Sequence, residues 1–367
     1  MKDQQQLSAS ELCSLFFIFI TGSNILSIPS QLIGFAQNGA WLSVLLSLVG
    51  GVGLLAGVLF LYQKFPQMNL IEYSRQLVGK WITMILAVPF IFIQLNSTSG
   101  IILDVGVFMT TAMMRETPIY VFNLLTFVVV ALTVRSGIEK ISRMFTILML
   151  TVILFIMVVV ILASANYQPE YLVPVLPDGF KPVLLGTYFY FGVPITELIL
   201  FAMLLPYVRS KENQLLKKGM FLALFVNHIF IAIVTISTIM IFGPVAGEMP
   251  FSMFAVARTI EIYEVIQRVE LLMGYSLIIT NYLKGVISLY ILNITIIYLF
   301  NIKDNRILIF PLALVCFLFS MLLISLGQAW RINYVTVIEP LWKAVSYVLP
   351  LLILIVAAVL RKNRESY

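Results

Sequence analysis

The sequence predicts an all-α polytopic membrane protein with ten membrane-spanning helices. Hydrophobic residues make up 61% of the chain and charged residues 11%; with a mean hydropathy of +1.03, this lies well outside soluble composition. Several apolar runs exceed the roughly 18 residues that read as a spanning helix. They are continuous stretches of Leu, Ile, Phe and Val without two-residue alternation, which excludes a transmembrane barrel with strands of about ten residues.

The first span opens at Ser8-Ala9-Ser10-Glu11, the spacing of a capping box, and runs to about Phe35. It is interrupted at Ile20 to Pro29, where a Gly22-Ser23-Asn24 triplet precedes the proline. Freed backbone groups at membrane depth are tolerated only when buried in protein or lining a polar cavity, so this break is a candidate site. Span 2 covers about Ala40 to Tyr62, with Gly50, Gly51, Gly53 and Gly57 for close helix packing. Phe65 to Lys80 reads as an interfacial helix ending near Gly79. Span 3, about Trp81 to Met114, is overlong, is expected to bend at Pro89, and carries the polar stretch Gln94 to Gly100 with Asp104 beyond.

Thr117-Pro118 opens span 4, to about Val134, and span 5 runs from about Ile141 to Ala163. A proline-rich loop follows, Pro169 to Pro182. Span 6, about Val183 to Val208, is interrupted at Phe191-Gly192-Val193-Pro194, with Glu197 one turn on. Span 7 covers about Leu216 to Phe242. The loop after it contains a partly charged helical stretch, Phe254 to Val265. Span 8, about Val269 to Phe300, holds Thr280, Asn281 and Lys284 at mid-depth; spans 9 and 10 run from about Ile307 to Leu326 and from about Leu341 to Leu360.

Broken first spans and overlong third spans recur in both halves. That pattern predicts two inverted five-helix repeats, residues 1–165 and 184–367, joined by an external loop, 166–183, with a second external loop at 243–268. The basic residues sort mostly to one side. Arg115, Lys181, Arg258, Arg268, Arg331 and Lys343 are left on the other, and the positive-inside rule then puts both termini in the cytoplasm. Basic residues scattered through short loops serve orientation, so no nucleic-acid partner is expected. The first apolar run is too long for a signal-peptide core and lacks a cleavage pattern. Cys13 and Cys316 lie in apolar spans, giving no disulfide framework and no metal-ligand spacing. No nucleophile triad or phosphate-binding loop occurs, so neither an enzyme nor a cofactor is expected.

A helix broken at mid-membrane offers N–H groups from one half and C=O groups from the other, which suits an amino acid zwitterion. The carboxylate would meet the amides around Gly22, Ser23, Asn24 and Ile25, and the amine the carbonyls from Tyr190 to Gly192. Asn96, Ser99 and Thr280 supply polar walls from spans 3 and 8. Glu197, Lys284 and Asp104 are the deepest ionisable residues, functional by default at that depth. The alternatives at this point are a packing kink, and a structural ion pair tying spans 3, 6 and 8. His228, the single histidine, reads as an interhelical hydrogen bond rather than a proton relay.

Gly22-x-x-Ile25-Leu26-x-x-Pro29, Phe65-Pro66 with Leu70-Ile71-Glu72-Tyr73 and Gly79-Lys80, Thr117-Pro118, Glu197-Leu198 with Leu204-Leu205-Pro206, and Arg268-x-Glu270 occur in an order that resembles a known family. It is that of the B subunits of endospore germinant receptors, the spore permease branch of the amino acid/polyamine/organocation transporter superfamily. The resemblance implies a LeuT-type fold of ten helices in 5+5 inverted repeats. It implies a nutrient-sensing subunit in the spore inner membrane, partnered by an A subunit and a lipoprotein C subunit, with a small germinant bound between spans 1, 3, 6 and 8. Asn24 stands where many relatives have a second small glycine, so its side chain is expected to reach the ligand and alter specificity. The competing expectation is a secondary amino acid transporter, proton-coupled through Glu197.

Overall fold

The computed structural model describes residues 6–260 and 268–365. The chain starts as expected: Ser8 accepts from the Glu11 amide and the Glu11 carboxylate accepts from the Ser8 amide, closing the box that opens α1 (Ala9–Thr21). After Gly22 and Ser23 the helix restarts as α2 (Asn24–Ala36), then α3 (Ala40–Lys64). A second box, Asn69 with Glu72, starts α4 (Leu70–Phe108). The amphipathic stretch ends at Gly79, whose φ of 84° turns the chain into the apolar part of the same helix. That conformation is open to glycine at no steric cost. Pro89 lies inside the helix, and the departure from helical geometry is at Gly79, not at the proline.

Next come α5 (Ile119–Arg135), α6 (Ile138–Ala163) and α7 (Lys181–Tyr190). From Phe191 to Ile195 the chain widens into a π-type turn and then tightens to 3₁₀ geometry over Thr196–Met203. The second half continues with α8 (Asn213–Phe242), α9 (Ser252–Arg258), α10 (Glu270–Phe300) and α11 (Ile309–Ser325). Of the helical stretch expected from Phe254 to Val265, residues 261–265 lie outside the described residues, and α9 ends at Arg258.

The last span differs from expectation. Instead of starting at Leu341, α12 (Gln328–Asn333), α13 (Glu339–Lys343) and α14 (Leu349–Glu365) run on through π-type turns at 334–338 and 344–348 as one helical rod. Pro340 sits in mid-rod at the first turn of α13, directly after the wide turn at 334–338, a position where a missing N–H is tolerated. Lys343, expected on the outer side at the start of span 10, is therefore in mid-rod and 1% exposed.

Among the described residues, seven helical segments are long and apolar enough to cross a membrane; the first, Ala9–Lys64, contains α1, α2 and α3. Two shorter apolar helices, α5 and α11, accompany them. The most buried is α10, packed chiefly on α4, while α1 and α3 pack on α8. Burial on α4 follows membrane logic. Trp81, Ile85, Val88 and Phe92 point outward, whereas Gln94, Thr98 and Ser99 are buried against other helices, because lipid solvates apolar side chains and polar ones must find protein partners.

Candidate functional site

The site grows from the gap between α1 and α2. The last turn of α1 leaves carbonyls without helical partners, and side-chain amides take them up. Asn24 Nδ2 donates to the Ile20 carbonyl at 2.8 Å, and Asn227 Nδ2 reaches the same carbonyl at 3.2 Å and Thr21 Oγ1 at 3.0 Å. The start of α2 is treated differently: Ser23 makes no side-chain cap, and Ser27 Oγ nearby is buried without a partner. Gly22 lets the joint lie against α10, since a Cβ there would stand 3.2 Å from Lys284 Cβ and 2.9 Å from the Ile18 carbonyl.

Opposite this gap stands the irregular stretch after α7. Gly192 abuts α13, where any Cβ would collide with Pro340. The change from π-type to 3₁₀ geometry leaves the Val193 carbonyl to accept from Lys343 Nζ at 3.0 Å, and it turns Glu197 into the protein. The Glu197 carboxylate holds two ammonium groups: Lys284 Nζ of α10 at 2.8 Å on one oxygen and Lys343 Nζ of α13 at 2.6 Å on the other. Lys343 also pairs with Glu339 at 2.8 Å, and Ser97 Oγ of α4 lies 3.4 Å from Glu339. Lys284 Nζ reaches Asn24 Oδ1 at 3.2 Å and sits 5.4 Å from the centre of the Phe19 ring.

Two carboxylates and two ammonium groups thus form one buried chain with no net charge. Charges out of water persist only when paired and hydrogen-bonded, and here the four come from three elements: Glu197 from the 191–203 stretch, Lys284 from α10, and Glu339 with Lys343 from α13. The cluster ties the α1–α2 joint, the 191–203 stretch, α10 and α13 together. Below it Phe201 meets Phe16 and Phe19 edge-on, with ring centroids 5.1 and 5.4 Å apart, and this aromatic layer closes the cluster off toward the start of α1.

Above the cluster is a cavity of about 100 Å³, lined among others by Ser23, Asn24, Ser27, Asn96, Ser97, Glu197 and Lys284. That is room for several water molecules or a small polar solute. Asp104 lines its outer end and pairs with Arg331 at 3.4 Å, both partly exposed. Of the residues expected at the site, Ser23, Asn24, Asn96, Glu197 and Lys284 line this cavity. Gly22, Ile25, Ser99, Tyr190, Gly192 and Thr280 lie behind the lining. Ile25 is fully buried, and Ser99 and Thr280 donate within their own helices, to the carbonyls of Leu95 and Leu277. Tyr190 bonds Asn227 at 3.3 Å and packs edge-on against His228. His228 Nδ1 is bonded to the Leu224 carbonyl of its own helix, 2.8 Å away, rather than across helices. The ion pair ties 6, 8 and 10 in the predicted span order. Asp104 of span 3 joins Arg331 instead.

Sequence reasoning missed Lys343 and Glu339. Their i, i+4 spacing is the available signal, but a span starting only at about Leu341 leaves Glu339 outside it and puts Lys343 at its outer end.

Comparison with known proteins bears on what this arrangement belongs to. The family model for spore germination proteins, the spore permeases, matches residues 6–328. Spore germination protein KB of Bacillus subtilis (strain 168) is 27% identical over 370 residues, covering 99% of this chain and 98% of that protein. Spore germination protein YndE of the same organism is 22% identical over 184 residues, about half of each chain. Among solved structures, a Na⁺-coupled sialic acid symporter in a substrate-bound outward-open state aligns with a TM-score of 0.68 at 11% identity, over 93% of this chain and 78% of its own. MhsT in complex with L-phenylalanine aligns at 0.65 and 13% identity, over 97% and 99%. At such identities the likeness establishes the fold alone, and that fold is of the LeuT type. With a family match across most of its length and an end-to-end relative, the chain belongs to the spore permease family of spore germination proteins.

Proposed function

We propose that this protein is the nutrient-sensing subunit of a germinant receptor, binding a small net-neutral nutrient, an amino acid foremost, in the cavity beside the α1–α2 break. The observation that carries the reading is the cavity's position directly on a charge-balanced cluster shared by four elements. A zwitterion brings one carboxylate and one ammonium. Its carboxylate competes with Glu197 for Lys284 and takes the uncapped amides at the start of α2, and its ammonium takes over a carboxylate so released. Pairs are exchanged while the net charge stays zero, so the site need not hold an uncompensated charge at low dielectric. What changes is which elements are tied together, and a ligand that binds one arrangement better shifts the population toward it. In this reading the changed helix positions are passed to A and C subunits in the spore inner membrane. The two halves of the chain act as inverted repeats of five crossings each.

A secondary transporter is the second reading, favoured by the transporters among the solved structures of the same fold. Deletion of the gene in its spore former, with germination scored on single nutrients, separates the two when paired with uptake of the same nutrients in proteoliposomes. The receptor reading expects nutrient-specific loss of germination and no counterflow uptake. Robust counterflow would sink it in favour of the transporter.

A further inference from the structure

A second and larger cavity, about 780 Å³, opens on the face of the molecule that carries most basic residues, beyond the aromatic layer of Phe16, Phe19 and Phe201. Its volume falls in the range of small-molecule sites, roughly 300–1,000 Å³. Arg135, Arg209, Lys211 and Arg306 line it, and none of the four forms an ion pair with a carboxylate among the described residues. The lining also includes Glu72 and Glu212, but both carboxylates serve helix starts. Glu72 accepts from the Asn69 amide at 2.9 Å, and Glu212 from the Ala9 amide at 2.6 Å.

An independent feature is Asn293, 2% exposed and part of the same lining. Its Nδ2 donates to the Asn305 carbonyl at 2.8 Å. A carbonyl only accepts, so this bond fixes the amide's orientation and leaves Oδ1 as a buried acceptor without a donor. A buried unsatisfied acceptor is costly and asks for a donor from an occupant. Orientation in the membrane explains basic residues in the loops. It does not explain their convergence on one concavity with a fixed, unfilled acceptor in its wall.

We propose that this cavity is a second binding site, distinct from the midplane site, for a small phosphate ester bearing hydroxyl groups. The arginines and the lysine take the phosphate oxygens through charge-assisted hydrogen bonds, and Asn293 Oδ1 accepts from a hydroxyl. The same chemistry is offered by a free sugar or glycerol phosphate and by the headgroup of a glycerol-bearing anionic lipid.

The test is calorimetric titration of the full-length protein in phosphatidylcholine nanodiscs with glycerol 3-phosphate, inorganic phosphate and glycerol. Glycerol 3-phosphate is expected to bind more tightly than inorganic phosphate, and glycerol not to bind. The double variant R209Q/R306Q should weaken the ester by about tenfold or more, the worth of charge-assisted hydrogen bonds. N293A should erase the ester's advantage over inorganic phosphate. Repeating the titration in discs containing phosphatidylglycerol separates the sources: unchanged binding supports a free ester, and binding abolished by the lipid supports the headgroup. Unfolding temperatures like wild type confirm that the variants fold. Absence of binding by the ester in phosphatidylcholine discs up to millimolar concentration would overturn the proposal, as would equal affinity in wild type and both variants. Binding of a hexaglutamate peptide in place of the ester would overturn it too, and would mark the cavity as a dock for an acidic protein segment. Nutrient binding at the midplane site is read separately, with a neutral amino acid as titrant.

Discussion

At Glu197 a single carboxylate pairs with two lysines that arrive from different helices, Lys284 at 2.8 Å and Lys343 at 2.6 Å, and Glu339 supplies the second negative charge that balances them. Removing one member of a buried pair leaves an uncompensated charge and costs about 3–5 kcal/mol, whereas removing both together costs far less. Glu197→Gln is therefore expected to lower the unfolding temperature sharply, because it leaves Lys284 and Lys343 with Glu339 alone. The double variant Glu197→Gln/Lys284→Gln keeps Glu339 with Lys343 and should recover at least half of the loss. Thermal unfolding of the purified protein, followed by tryptophan fluorescence, checks this; additive losses in the double variant would dissolve the idea of a coupled cluster. Sequence reading picked out Glu197 and Lys284 because ionisable residues at membrane depth are conspicuous. It placed Lys343 outside the membrane, since no local pattern shows that a lysine four residues after Glu339 has a carboxylate waiting on another helix.

Among the elements, the two breaks carry different burdens. The α1–α2 joint faces the cavity with Ser23 and Asn24, while Gly22 presses its backbone onto α10. A side chain at Gly22 must push α1 away from Lys284 and the Thr280 carbonyl, 3.2 and 3.4 Å from a Cβ. Gly22→Leu is accordingly expected to abolish nutrient binding and the germination response while the protein still inserts. Membrane fractionation and calorimetry with the nutrient measure the two effects; full nutrient affinity in the variant would show that the joint has room to spare. The 191–195 break works through its geometry. It presents the Val193 carbonyl to Lys343 and turns Glu197 inward, so the resident ammonium is held one residue beyond the Tyr190 to Gly192 carbonyls expected to face a ligand amine. Both breaks were legible as Gly and Pro interruptions. Which groups each would present was not, because that depends on the helix packed opposite.

For the whole molecule, burial and charge sort along different axes. Lateral burial separates the outward stripe of Trp81, Ile85 and Val88 from the polar inner face of α4, and charge asymmetry sets the vertical direction. The positive-inside rule makes the basic face the cytoplasmic one, so Asp178, in the loop before α7, is expected outside and Lys140, near the start of α6, inside. In a variant lacking Cys13 and Cys316, a single cysteine at 178 should react with a membrane-impermeant maleimide in intact cells. One at 140 should react only after permeabilisation; the reverse pattern would invert the topology and move the basic cavity outside.

Local sequence sets the all-helical membrane class, the capped start at Ser8, the breaks at Gly22 and Gly192, and the conspicuous charges of Glu197 and Lys284 at membrane depth. Each is a local property, set by hydropathy over one span, by cap chemistry within a turn, or by the rarity of charge in hydrocarbon. Tertiary structure alone decided that Lys343 and Glu339 complete the charge cluster, that Arg331 rather than Lys284 takes Asp104, and that Gly192 and Thr280 stand behind the cavity wall. Those outcomes depend on which helices face one another at a given depth. A paired and an unpaired lysine look the same in sequence, and only the opposing helix supplies the counter-charge that lets one remain buried.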